Sequence, residues 1–231
     1  MLPVRLASAS VVLDSLEATD APLVLEYCQD PLFERYLTIP WPYRREHADG
    51  FIAEYVPEGW AGDTEYTWAV RGAARLPIAP PTPRGDPTAL VDVVQPAPPA
   101  PPVELVELVE LTLATPLLGV IGLRRPSPGV GAFGFWLGAP HRGLGLMQKA
   151  ERLVIDWAFG AALVSTIQWE CLVGNRASAR TARAAGFTFL GRGPSASADR
   201  DGGHPLSWHA VLRTTDDRLV KPGWPSEIEA P

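Results

Sequence analysis

The sequence predicts a protein of the α/β class. Three observations carry that prediction. Apolar runs of strand length recur in both halves of the chain, segments with helical apolar spacing alternate with them, and a Pro-rich insertion separates the halves. With 231 residues, 46% of them hydrophobic, the chain can bury a sizeable core. No apolar run reaches the roughly 18 residues that a membrane span needs.

Residues 10–16 alternate as a first strand does. Thr19 is placed to cap a helix from Asp20 to about Cys28, with Leu23, Val24 and Tyr27 on one face. Pro40, Pro42 and Pro57 mark loops around a second helical piece, residues 46–55, where Ala48, Phe51, Ile52 and Tyr55 share a face. YTWAVR (66–71) reads as a strand. Ten of the 25 prolines then fall between residues 77 and 102. Proline removes the amide donor and fixes φ, so this stretch reads as an exposed, partly polyproline-II insertion, either a spacer or a ligand for an SH3-like partner. VELVELVEL (103–111) reads as a weak strand at its edge.

The second half is clearer. LLGVIGL (117–123) reads as a buried strand, residues 126–129 as a turn, and AFGFWL (132–137) as the returning strand. A helix follows. Leu146, Ala150, Leu153, Val154, Trp157 and Ala158 form its apolar face, and Gln148, Lys149, Glu151, Arg152 and Asp156 its solvent face. Residues 166–171 read as a strand. Asn175 opens a short helix over 177–185, stopped by Gly186. Residues 187–190 and 207–213 read as a last pair of strands around the loop 191–205. The tail from Thr214 is polar and Pro-rich and reads as loose.

Composition narrows the function. The acids Asp14, Glu17 and Asp20 interrupt the N-terminal segment, which lacks the long apolar stretch of a secretory signal. Two cysteines, Cys28 and Cys171, make no disulfide framework and fit a reducing cytoplasm. A net charge of −6 argues against a general nucleic-acid binder and leaves room for a basic partner. Four scattered histidines and two distant cysteines offer no metal-ligand spacing.

The strand–loop–helix over 132–158 is the informative constellation. Gly143 and Gly145 let the backbone come close to a ligand and point several amides one way. The first amides of the following helix are unpaired and carry the positive end of its dipole, and Arg142 adds a charge. Together they make a cradle for a pyrophosphate. The P-loop needs a Lys-Ser or Lys-Thr that the chain lacks, and the dinucleotide fingerprint needs a third glycine where Gln148 stands.

FGFWLGAPHRGLGLMQKAERLVIDWAF, followed by WECLVGNRASARTARAAGFTFLG, resembles motifs A and B of the GNAT acetyltransferases, and more narrowly the RimJ/RimL-type branch of ribosomal-protein N-terminal acetyltransferases. The resemblance covers residues 117–192 and extends more loosely to YLTIPWPYRREHADGFI (36–52). It implies an α+β mixed sheet of six or seven bent strands flanked by helices, with two central strands splayed apart to admit acetyl-CoA. It implies one domain over 1–213, interrupted by the insertion at about 72–115 and followed by the loose tail 214–231. Carried over by position, the backbone of Trp136, Leu137 and Gly138 pairs with the pantetheine arm. The amides of Arg142, Gly143, Leu144, Gly145, Leu146 and Met147 hold the pyrophosphate. Asn175 contacts the pantetheine and Ser178 lies near the sulfur. Pro140 stands where the family usually has Gln or Arg.

The implied reaction is attack of a neutral amine on a thioester, with the Leu137 amide holding the oxyanion and Ser178 protonating the thiolate. The acceptor is a protein N-terminal amine or a small amine such as a polyamine, amino acid or antibiotic. A CoA-binding module without catalysis is the alternative of another class. A homodimer stays open, and neither nucleic acid nor membrane is an implied partner. For the base, Asp199 and Asp201 are the nearest carboxylates in the segment where some relatives place a glutamate, with solvent-exposed turn acids as the other reading. Trp41 and Tyr43 border the acceptor or merely line a loop. Arg176, Arg180 and Arg183 reach CoA phosphates or form an exposed helix face.

Overall fold

The computed structural model describes residues 1–73 and 115–229. The Pro-rich insertion and the strand expected at 103–111 lie outside the described residues. The described strands are β1 (Leu6–Ala7), β2 (Val11–Asp14), β3 (Glu65–Gly72), β4 (Leu117–Ser127), β5 (Gly129–Leu137), β6 (Val164–Leu172), β7 (Thr188–Pro194) and β8 (Leu206–Arg213). They form one sheet of eight strands in the order β1-β2-β3-β4-β5-β6-β8-β7. Every neighbouring pair is antiparallel except β5 and β6, which are parallel. The sheet is mixed, as expected, but longer than six or seven strands because the two-residue β1 extends its edge.

The helices are α1 (Ala21–Tyr27), α2 (Pro31–Tyr36), α3 (Arg45–Gly50), α4 (Val56–Ala61), α5 (Leu146–Gly160), α6 (Arg176–Ala184) and α7 (Ser226–Glu229). Thr19 does not cap α1. A 3-10 turn, Ala18–Asp20, leads into the helix, and the Glu17 N–H donates to Asp20 Oδ2 at 2.9 Å. The second helical piece runs past its expected end. A π-turn, Phe51–Tyr55, joins α3 to α4. Pro57 is tolerated because the wider turn already leaves the ladder that its missing N–H could not join.

α5 crosses the sheet and touches β1, β2, β4, β5 and β6. Its buried residues are Met147, Ala150, Glu151, Val154, Ile155 and Ala158. The inner face is therefore turned from the expected stripe, and Glu151, expected in water, is 0% exposed. Trp157 packs edge-on against Tyr66 and Trp68 at about 5 Å between ring centres. A buried ion pair ties β2, β3 and the start of α1: Arg71 meets Asp14 and Asp20, each at 2.7 Å.

The tail also departs from expectation. Trp224 and Ile228 are 4% and 1% exposed. Trp224 packs on Trp169 and Phe189, and α7 lies against α6. A polar, Pro-rich composition hides these two apolar anchors.

Candidate active site

The centre of the sheet opens. β5 and β6 pair in parallel only from Gly129/Val164 to Ala132/Gln168. Beyond that point β5 continues to Leu137 against β4, and β6 continues to Leu172 against β8. The two strands therefore splay into a fork with its apex at Ala132 and Gln168. On the β5 lip, the Gly138 N–H donates to Leu118 O at 2.9 Å. Main-chain groups alternate sides along a strand, so Trp136 and Gly138 turn toward β4 while Phe133, Phe135 and Leu137 turn their N–H and C=O into the fork.

The loop after β5 presents further donors. Gly143 and Gly145 have φ of 76° and 69°, the left-handed region that a side chain disfavours. An added Cβ at either would meet nothing within 4 Å, so their role is backbone shape over open space. Among the described residues, the N–H groups of residues 143–148 find no acceptor in the protein. The Arg142 N–H is engaged with Ala139 O at 3.4 Å. Its side chain turns inward: Nε donates to Leu137 O at 3.0 Å, Nη1 meets Asp30 Oδ2 at 2.6 Å, and the guanidinium lies over Phe33. The cradle's positive character thus comes from main-chain amides and the start of α5 rather than from a free Arg142.

A cavity of about 660 Å³ joins these parts. Trp136, Leu137, Arg142, Gly143, Gly145, Leu146, Met147, Asn175 and Ser178 all line it. Gly138 and Leu144 are not among its lining residues. Tyr27 covers Gly138 so closely that a Cβ there would stand 2.8 Å from its ring, and Leu144 is exposed. Arg176 and Arg180 also line the wall.

At the far side, Asn175 caps α6, its Oδ1 accepting from the Ser178 N–H at 3.3 Å. Ser178 Oγ accepts from Trp169 Nε1 at 3.2 Å, so its own proton is left for another acceptor. Burial pushes the neighbouring Cys171 thiol up, and a hydrogen bond with Ser178 opposes that shift.

Sequence reasoning missed the remaining wall. α2 supplies Leu32, Phe33 and Tyr36 to the cavity, and Leu37 follows at its end. Its start was readable: the Asp30 side chain accepts from the Leu32 N–H at 2.8 Å, with Pro31 in the first turn. Tyr36 reaches across the cavity, its hydroxyl donating to Gly174 O at 3.2 Å. Arg200 ties the loop after β7 to the end of α2 through the carbonyls of Phe33, Glu34, Leu37 and Ile39. Trp41 borders a separate shallow pocket with Arg44, His47 and Arg200. Asp199 caps its own loop, accepting from the N–H groups of Asp201 and Gly203. His141 Nε2 lies 3.0 Å from the Tyr27 hydroxyl. Among the described residues, no group of three or more His, Cys, Asp or Glu could hold a metal ion, and no helix is long and apolar enough to cross a membrane.

Residues 10–188 match the family model described as an acetyltransferase (GNAT) domain. A comparison with curated protein sequences finds no match. Among solved structures, the chain is similar to the microcin C7 self-immunity acetyltransferase MccE in complex with acetyl-CoA and AMP, at 14% identity and a TM-score of 0.63, covering 89% of this chain and 93% of that one. It is similar to RimL, the ribosomal L7/L12 α-N-protein acetyltransferase, in complex with coenzyme A, at 13% identity and a TM-score of 0.64, covering 91% and 98%. A third is the acetyltransferase from Salmonella typhimurium that modifies the N-terminal serine of 50S ribosomal subunit protein L7/L12, at 13% identity and a TM-score of 0.62, covering 89% and 96%. At these identities the likeness shows a shared fold.

Proposed function

The chain belongs to the GNAT acetyltransferases, and on that premise we propose that it moves an acetyl group from acetyl-CoA to the amine at a protein N-terminus by direct attack in a ternary complex. The observation that supports this reading is the fork between β5 and β6, where β5 beyond Ala132 has no strand partner on the β6 side and the loop above it carries unpaired amides.

The donor is acetyl-CoA. Its diphosphate fits the amides of Gly143, Leu144, Gly145, Leu146 and Met147, and its pantetheine arm fits the β5 edge at the Leu137 N–H, flanked by Trp136 and Gly138, with Asn175 on the opposite wall. The edge amides of β5, Leu137 among them, hold the carbonyl oxygen as it gains charge. Ser178 donates the proton that Trp169 leaves it to the departing thiolate. Arg142 serves by fixing the loop to α2 through Asp30.

RimL, which shares the fold, acts on a ribosomal protein N-terminus, and this favours a peptide acceptor. The likeness to MccE, solved in complex with acetyl-CoA and AMP, supports a small amine as the second reading. A thiol-release assay with peptides of free N-terminus and a panel of small amines separates the two. Higher kcat/KM for peptides is expected, and turnover confined to small amines overturns the peptide reading.

A further inference from the structure

We propose that the acceptor amine reaches the fork through a passage over Gly134, roofed by the loop 195–205, and that Arg200 is the positioning residue that clasps this roof; the proposal rests on the acetyl-transfer reading above. The register places the passage. Arg124, Ala132 and Gln168 are cross-strand partners on β4, β5 and β6, and residues two further along a strand return to the same face. Gly134 and Glu170 therefore share the face of Arg124. Two neighbouring residues of the loop reach β6 and β4 on that face. The Ala196 N–H donates to Glu170 Oε2 at 2.9 Å, and Arg124 Nη2 donates to Ser197 Oγ at 3.1 Å. β5 lies between those two strands, so the loop crosses above it. Gly134 is nevertheless exposed, and an added Cβ would meet nothing within 4 Å. A gap with a bare floor is thus left between β5 and the loop. Glu65 closes one side of it: its Oε1 stands 2.9 Å from where a Cβ would sit on Gly122, the cross-strand partner of Gly134.

Arg200 fastens the far part of the loop. Its Nε donates to Ile39 O at 2.6 Å, Nη1 to Glu34 O at 2.8 Å, and Nη2 to Phe33 O at 3.2 Å and Leu37 O at 2.8 Å. These carbonyls lie at and just past the end of α2, where the helix dipole favours a cation. A planar guanidinium has the five donors that such a cluster needs, and a lysine ammonium has three. The loop is also tied within itself. Asp199 Oδ1 accepts from the N–H groups of Asp201 and Gly203, and His204 Nδ1 donates to Ser195 O at 2.7 Å. One clasp therefore places the whole roof.

The donor does not need the clasp. Among the described residues that line the cavity at the cradle, none comes from 195–205. α2, which walls that cavity, is fixed independently, by Asp30 on Arg142 and by the Tyr36 hydroxyl on Gly174 O. Acetyl-CoA and the amine thus reach the fork by different routes, and Arg200 acts on the route of the amine. A fixed roof over a bare floor confines the amine as it approaches the thioester, which replaces a loose encounter by an oriented one. A side chain at position 134 would stand in that route without disturbing the fold.

The test uses the full chain with acetyl-CoA and, as acceptors, a peptide with N-terminal serine and spermidine. Absence of turnover with both, despite acetyl-CoA binding, overturns the acetyl-transfer reading and this proposal with it. Given turnover, Arg200→Ala is expected to raise the acceptor KM at least about tenfold, the effect of about 1.4 kcal/mol of lost binding. Its acetyl-CoA affinity in calorimetry is expected to stay at the wild-type level, and Arg200→Lys should recover part of the loss. Gly134→Val enters open space on a strand, which suits a β-branched residue, so its melting midpoint should equal or exceed that of the wild type. Its kcat/KM for the acceptor is expected to fall at least about tenfold, with Gly134→Ala in between; the alanine variant decides the point if the valine variant does not fold. A wild-type acceptor KM in Arg200→Ala, wild-type kcat/KM in the Gly134 variants, or an equal loss of acetyl-CoA affinity overturns the passage and leaves acetyl transfer standing.

Discussion

Glu151 lies in the middle of the inner face of α5, and neither carboxylate oxygen meets a donor among the described residues. Burial raises its carboxyl well above the usual carboxylate range. An unfolded glutamate ionises near pH 4.3, so above that pH the folded state binds the extra proton. Stability from this group is therefore complete below about pH 4.3, falls as pH rises, and levels off past the folded pKa. Glu151→Met is expected to stabilise the protein by about 1–3 kcal/mol at pH 7, with the gain smallest near pH 4. Denaturant melts at the two pH values check this, and an equal gain at both contradicts it. Residue identity at the cradle was legible because positive-φ glycines leave a sequence mark. Arg142 was legible as a residue but not as a partner of Asp30, because that contact joins positions more than a hundred residues apart.

At the scale of elements, strands and long helices announced themselves by period, while short elements did so only through their caps. The start of α2 carries an Asp-Pro signature, but its six residues bury little, and only the cavity shows why it matters. The tail hides its order for the opposite reason. Its average polarity is high, yet Trp224 and Ile228 are buried, Trp224 against Trp169 on β6, the residue that also orients Ser178. Trp224→Ala is expected to cost about 3 kcal/mol or more in chemical denaturation. A midpoint equal to that of the wild type would mean that the tail is loose in solution.

Across the whole molecule, sheet register turns these parts into a site. The parallel pair β5/β6 begins the fork, the antiparallel neighbours β4 and β8 hold the lips apart, and α5 and α6 start at its two rims. Motifs A and B revealed the two rims from sequence. The third wall, α2, depends on pairings between distant segments, which no local pattern encodes. Calorimetry of acetyl-CoA with the wild type and with Gly145→Glu bears most directly on the cradle. The substitution places bulk and negative charge over the bare amides in a left-handed turn. Binding to the wild type with none detectable in the variant is the expected result; equal affinity in both would show that the diphosphate does not sit on these amides.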